Sequence, residues 1–411
     1  MRVNKGWRDY IAKLPRLWMH LDLSGARKAV PRSFIDKAVR RSECRLTRVT
    51  IHRFEHVDVL KNVAKVCKNL GELEFITLPH TLSSTLIDIV QCTPNLKKFI
   101  VHPEISPNTA TQLLRHRPNL EHVRFSSVNW YLHNADWKGP FDALKSFSMT
   151  LVGSRNIEMQ ISSLLQQTPI LRSLTLSTMY LGTSDLASLP LTSLVLKRIT
   201  FPNHLFPALP ASLQKLVIEY DGSLELRGEE WTLLQSGLPA LTHLGLSDIN
   251  MLSADRLEKL LDLCIDGGQG ESQARPLEGA MPLQYLAVRG LLNQPTDGLF
   301  KDKNSLFARS PRILTPALQT LDIATLPCDD DEIECLLTYD TGLTSIDLSS
   351  THVTGASIKM LVDKLKGLKT IRADNCPRIN GRDAIEYAIR KGVQVTCSMG
   401  EGKGSRKIRY G

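Results

Sequence analysis

A leucine, two polar positions, an apolar residue, a polar one and an apolar one: this six-residue pattern returns along the chain. It is "LTRVTI" at 46, "LGELEF" at 70, "LKKFIV" at 96, "LEHVRF" at 120, "LKSFSM" at 144 and "LRSLTL" at 171. It continues as "LTSLVL" at 191, "LQKLVI" at 213, "LTHLGL" at 241, "LQYLAV" at 283, "LQTLDI" at 318, "LTSIDL" at 343 and "LKTIRA" at 368. With "WMHLDL" at 18 there are fourteen copies, and "RKGVQV" at 390 reads as a degenerate fifteenth. The apolar residues at positions four and six have the two-residue period of a strand with one buried face. Between the copies the period lengthens to that of a helix at 59–67, 83–92, 108–116, 157–167, 253–264 and 357–365. Pro94, Pro118, Pro169, Pro239 and Pro316 each stand two residues before the next copy's leucine. A proline there cannot extend the helix and turns the chain into the strand.

A strand and a helix repeated every 20–29 residues resemble the leucine-rich repeat. The resemblance implies an α/β solenoid bent into a horseshoe, with parallel strands on the concave face and helices on the convex face. Each unit buries its apolar face only against its neighbours. The ninth position, where that family places asparagine or cysteine, holds Phe54, Leu78, Val128, Met179, Ile249 and Leu326 here, and Cys376 conforms. The turns are therefore expected to satisfy their own backbone groups in an irregular solenoid. Units starting at 171 and 191 are too short for a full helix and predict 3₁₀ turns. Two longer intervals predict surface insertions near 266–281 and 293–312. The chain then divides into a short helical cap over 1–17, a solenoid over 18–398 and a basic flexible tail over 399–411.

Composition narrows the setting. Of 411 residues, 42% are hydrophobic and 23% charged, the balance of a globular chain. No apolar run approaches the roughly 20 residues that span a bilayer, and "MRVNKGWRDYIAK" lacks the apolar core of a signal peptide. Cys44, Cys67, Cys92, Cys264, Cys328, Cys335, Cys376 and Cys397 are dispersed without paired or zinc-type spacing, as suits reduced thiols of the cytoplasm or nucleus. A net charge of +9 favours acidic partners.

Trp7, Tyr10, Ile11 and Leu14 fall on one face of a short helix that Pro15 ends, followed by Leu17 and Trp18. The phrase "VNKGWRDYIAKLPRLWMHLDLS" (3–24) resembles the C-terminal end of an F-box, without that module's N-terminal half. F-boxes joined to leucine-rich repeats are substrate receptors of SCF ubiquitin ligases. The resemblance implies a Skp-type adaptor and a cullin as partners, with these seven residues facing the adaptor or capping the solenoid. "LPRLWMHLDLSGARKAVPRSFIDKAVRRS" and the closing "RKIRYG" most resemble fungal proteins built from TPR repeats, an F-box and leucine-rich repeats. That likeness implies a nuclear role in DNA replication and genome stability, chromatin association, and chromatin-bound replication proteins as targets.

Catalytic patterns are missing from the sequence: there is no GxxxxGK[ST], GxSxG or HExxH. Neither catalysis nor a metal or cofactor is expected. The loop "NWYLHNADWKGPF" (129–141) is expected to fold its tryptophans back onto the solenoid. Polar positions beside the strands offer a binding face instead. Arg48, Thr50, His52, Arg53, Lys98, Ile100, His102, His122 and Arg124 make its N-terminal half basic, and Asp322, Asp347 and Asp374 make its far end acidic. An acidic or phosphorylated protein segment would be held at the basic half. The expected function is substrate recognition for a ubiquitin ligase. The alternative is a repeat scaffold or nucleic-acid-binding module with no ubiquitin role, and neither involves a membrane.

Overall fold

The computed structural model describes residues 6, 10–11, 14–54, 56–77, 83–129, 137–152, 158–159, 161–181, 186–200, 208–219, 238–247, 281–290 and 313–398. The chain divides into two compact units, residues 1–190 with 199–202, and residues 191–198 with 203–411. Trp7, Leu78, Trp130, Ile249, the helix expected over 253–264, both insertions except Met281, and the tail lie outside the described residues.

The first unit is built on β1 (His20–Asp22), β2 (Arg48–Ile51), β3 (Glu72–Phe75), β4 (Lys98–Val101), β5 (His122–Asn129), β6 (Ser146–Val152), β7 (Glu158–Met159) and β8 (Ser173–Leu181). Strands β1 to β6 pair in parallel in chain order, β6 pairs with β8, and β7 adds a short edge to β8. Equivalent repeat positions oppose one another, so the apolar fours and sixes stack behind the sheet. Val49, Ile51, Leu73, Phe75, Phe99, Val101, Val123 and Phe125 are all buried, each worth roughly 1.5–3 kcal/mol of transfer free energy. Phenylalanines meet edge-on along this stack, Phe75 with Phe99 at 6.1 Å and Phe125 with Phe147 at 6.3 Å between centroids.

Between strands lie α1 (Arg32–Arg41), α2 (Val57–Val66), α3 (Ser83–Cys92), α4 (Pro107–His116) and α5 (Ser162–Gln166). Helices α2 to α4 fall where the periodicity puts them. Helix α1 forms where the periodicity predicted no helix, because Ile35 and Ala38 give it a buried face. The helix expected over 157–167 shrinks to α5, since Glu158 and Met159 pair with Tyr180 and Leu181 instead. Arg117 closes the end of α3: its guanidinium donates to the Val90 carbonyl at 2.8 Å and the Thr93 carbonyl at 2.9 Å, stabilising orphan acceptors at the negative end of the helix.

The second unit is built on β9 (Ser193–Thr200), β10 (Lys215–Glu219), β11 (His243–Ser247), β12 (Tyr285–Arg289), β13 (Thr320–Asp322), β14 (Ser345–Asp347), β15 (Thr370–Arg372) and β16 (Gln394–Thr396), again parallel in chain order. Its described helices are α6 (Asp330–Leu336), α7 (Gly355–Lys364) and α8 (Asp383–Arg390). The fifteenth copy is present but two residues out of the expected frame, because Ile371 opposes Val395 and not Val393. Asp330 ties α6 to α7: it accepts from the Thr354 N–H at 2.9 Å, the Thr354 hydroxyl at 2.7 Å and the Ser357 hydroxyl. In the units starting at 171 and 191, residues 187–188 and 211–212 form turns, while 182–185 and 201–207, over which the 3₁₀ turns were also expected, lie outside the described residues.

The departure at position nine has a conformational partner at position eight. Arg53, Thr178, Arg198, Gly290, Thr325, Ser350 and Asn375 all occupy position eight, and all have φ between 50° and 66°. This left-handed step turns the next side chain inward, where Phe54, Met179, Ile199, Leu326 and Cys376 are buried. The turn backbone is satisfied by the following repeat: the Thr325 N–H donates to the Ser349 carbonyl at 2.8 Å and the Ser350 N–H to the Asp374 carbonyl at 2.7 Å. A β-branched residue is strained in this region. Thr178→Gly is therefore expected to raise stability by about 0.5–1 kcal/mol, read as a higher urea midpoint. An unchanged or lower midpoint would mean that the Thr178 backbone is not strained.

Candidate functional site

On the face opposite the buried leucines, the first unit has a groove of about 710 Å³ lined by residues of β1 to β6 and β8 and of the turns before them. Parallel pairing builds it from two rows. His20, Arg48, Glu72, Lys98, His122, Ser146 and Ser173 oppose one another in the first. Asp22, Thr50, Glu74, Ile100, Arg124, Ser148 and Thr175 follow in the second. Four cationic side chains, Arg48, Lys97, Lys98 and Arg124, face two carboxylates, Glu72 and Glu121, among its lining.

This places the sequence candidates unequally. Arg48 and Lys98 share a row, but Glu72 lies between them, 3.6 Å from Arg48 Nε and 3.4 Å from Lys98 Nζ. The sequence reading passed over β3, whose polar positions are both glutamates. His102 lies past β4 and is held by Glu74 at 3.2 Å and the Ser126 hydroxyl at 3.0 Å. His52 lies past β2, 2.9 Å from the Thr77 hydroxyl. Arg53 does not share the orientation expected of it: it sits on the left-handed turn and its guanidinium donates to the Arg27 carbonyl. His122 and Arg124 are exposed, and Arg124 forms no ion pair among the described residues.

Glu121 anchors the groove's rim. Lys145 Nζ at 2.6 Å and Lys97 Nζ at 2.9 Å hold its carboxyl down to about 2, well below the ordinary 4.5. A depressed carboxylate contributes stability above its unfolded value and loses it as pH falls through its folded one. The stability gap between wild type and Glu121→Gln is thus expected to be full above pH 4.5 and to close toward pH 2. Urea midpoints across that range check this; a gap independent of pH would remove the two lysines as its cause.

The acidic end in the second unit is neutralised from within. Arg289 bridges Asp322 and Asp347, and Arg372 reaches Asp347 at 3.7 Å and Asp374 at 2.9 Å. Asp374 is not equivalent to the other two: the residue opposite Asp347 is Arg372. Asp322 and Asp347 also accept the N–H groups of Ala324 and Ser349, at 3.2 Å and 2.9 Å, which stabilises the strand exits. Burial raises the Asp374 carboxyl, but hydrogen bonds from Arg372 and Ser398 outweigh it and the net direction is down.

At the N-terminal end, Leu14 and Pro15 are half-buried while Tyr10, Ile11 and Leu17 are exposed. Trp18, expected to face the adaptor or cap the solenoid, is half-buried, with its indole N–H on the Ile11 carbonyl at 3.2 Å and the Arg41 guanidinium 4.6 Å over its ring. It holds position one of the first copy, and no repeat precedes it among the described residues. In the 129–141 loop, Trp137 and Phe141 are buried as expected of a loop folded onto the core.

Burial pushes the Cys67 and Cys397 thiols up to about 11, and raises Cys328 further, which suits packing and not nucleophilic chemistry. Among the described residues no His, Cys, Asp and Glu grouping could hold a metal ion, and no helix is long and apolar enough to cross a membrane.

Comparison with known sequences finds no matching family model and no matching curated protein. Among solved structures, the chain is similar to one from yeast described as the Rad7 and Elc1 complex, at 16% identity and a TM-score of 0.53, over 95% of this chain and 94% of that one. An internalin from Listeria monocytogenes is also similar, at 12% identity and a TM-score of 0.33, over 89% of this chain and 83% of that one. The likeness to the yeast structure agrees with the α/β leucine-rich-repeat solenoid described above.

Proposed function

We propose that this protein is a non-catalytic substrate receptor of an SCF-type ubiquitin ligase, which lays an acidic or phosphorylated segment of its target along the groove of the first unit. The observation that carries the reading is the groove itself, whose lining has four cations against two carboxylates and includes Arg124, which forms no ion pair among the described residues. The similar yeast protein Rad7 was solved with Elc1, which supports partner assembly for a chain of this fold. The exposed Tyr10, Ile11 and Leu17 supply the apolar contact for a Skp-type adaptor, through which the chain meets the cullin. The resemblance to replication-control proteins points to a chromatin-bound replication protein as target, in the nucleus.

The test is affinity purification of the tagged full chain from cells, with and without Tyr10→Asp/Leu17→Asp. Wild type is expected to retain a Skp-type adaptor and cullin, and the variant to lose both while keeping its melting profile. Absence of the adaptor from the wild-type complex overturns the ligase reading. It would leave the basic groove to the scaffold or nucleic-acid alternative.

A further inference from the structure

One apolar side chain interrupts the groove's polar floor. In the second row Ile100 of β4 stands between Glu74 and Arg124, and every other position of that row in the first unit is polar. Ile100 is half-buried and lines the groove. The other aliphatic side chain of the lining, Val123, is turned into the core and is 3% exposed. A strand favours a β-branched residue at such a place, but Thr175 shows that the row meets this preference with a hydroxyl. The two flanks of Ile100 differ in charge. Toward β3, the Glu74 carboxylate lies 3.2 Å from His102 Nε2. Toward β5, Arg124 forms no ion pair among the described residues.

We propose that Ile100 seats an apolar side chain of the target segment, and that an acidic residue two places from it, on one side only, meets Arg124. The proposal rests on the receptor reading above and names the chemistry of the segment. Residues two apart in an extended segment project to one face about 6.8 Å apart. Arg124 stands one strand from Ile100, about 4.8 Å away, and its long side chain covers the difference. An acid on the opposite side meets Glu74 and is repelled. An apolar contact ringed by polar groups supplies affinity through desolvation, while the ring sets the register. Without that contact an acidic segment gains only solvated ion pairs, which contribute little. Evenly spaced nucleic-acid phosphates put charge against Glu74 as well as Arg124, so they fit this part of the groove less well.

The test is fluorescence anisotropy of the full chain against degenerate peptide mixtures with uncharged flanks. Two mixtures carry one leucine and one glutamate two places apart, in either order, and a third has glutamate on both sides of the leucine. Serine replaces the leucine in matched controls. One of the two single-glutamate orders is expected to bind about ten-fold tighter than its serine control. A second glutamate is expected to bring no gain. Ile100→Thr should cut the leucine preference to less than about three-fold, and Ile100→Val should keep it. Arg124→Gln should remove the preference between the two glutamate orders and keep that for leucine. All three variants should melt as wild type does. Equal binding of the leucine and serine mixtures, no binding of either, or a leucine preference that survives Ile100→Thr overturns the proposal. Tightest binding by the two-glutamate mixture, or by a single-stranded oligonucleotide mixture, overturns it as well. A chain that co-purifies with its adaptor yet shows no leucine preference loses this inference alone.

Discussion

Trp137→Ala is expected to lower the stability of the unit containing it by about 3–5 kcal/mol. Trp137 is 1% exposed, and its ring meets Phe147 edge-on at 6.2 Å. Phe147 in turn meets Phe125 at 6.3 Å, so truncation opens a void against the aromatic stack. Gln167 holds this stretch in place: its side-chain amide donates to the Trp137 carbonyl at 2.7 Å, and its backbone carbonyl accepts from the Phe141 N–H at 3.0 Å. The indole N–H has no hydrogen-bond partner among the described residues. Trp137→Phe therefore keeps the ring contact and removes an unpaired buried donor, and its expected cost is about 1 kcal/mol or less. Urea denaturation of both variants reads the contrast. A loss below about 1 kcal/mol for Trp137→Ala would mean that the loop packs loosely.

Simultaneous reversal of Arg48, Lys98 and Arg124 to glutamate is expected to weaken target binding by several tens-fold at low salt. Single reversals are poor probes, because one exposed pair contributes only about 0.2–1 kcal/mol. The triple variant changes the groove's sign along two adjacent rows, and it also leaves Glu72 among like charges. The effect should shrink as added salt shortens the screening length. Arg53→Glu should leave affinity unchanged in the same assay, since its guanidinium is turned onto the Arg27 carbonyl. If the folded triple variant binds the target as wild type does at low salt, the groove is only a solvated surface.

The strands were legible because every copy keeps apolar residues at positions four and six, and parallel stacking of equivalent positions follows from that repetition. Charge partners were not legible in the same way. Glu72 belongs to the strand between Arg48 and Lys98, and reading basic residues strand by strand hides a carboxylate that neutralises both. Arg53 looks equivalent to a strand residue until the backbone turns left-handed beneath it. Asp374 looks equivalent to Asp347, yet the register gives that place to Arg372. Helix α1 was hidden because three arginines and a lysine mask the short apolar face of Ile35 and Ala38. The signal that finds the serine-rich end is the register itself: Ser146, Ser148 and Thr175 stand at positions three and five of successive copies.

Pairing each strand with the next one in the chain also governs how the protein reaches its native state. Within the first unit the paired residues are 22 to 28 apart, as in Glu158 with Tyr180 and His20 with Arg48. In the second unit they are 22 to 28 apart except across the two insertions, where His243 meets Tyr285 and Tyr285 meets Thr320. Contacts this local make nucleation at many points equivalent, so each unit can grow from any formed pair of repeats in either direction. The two longer spans add only about half a kcal/mol each in closure entropy. They interrupt the row of formed repeats without weakening it, and a growing stack halts there just long enough for the excursion to close.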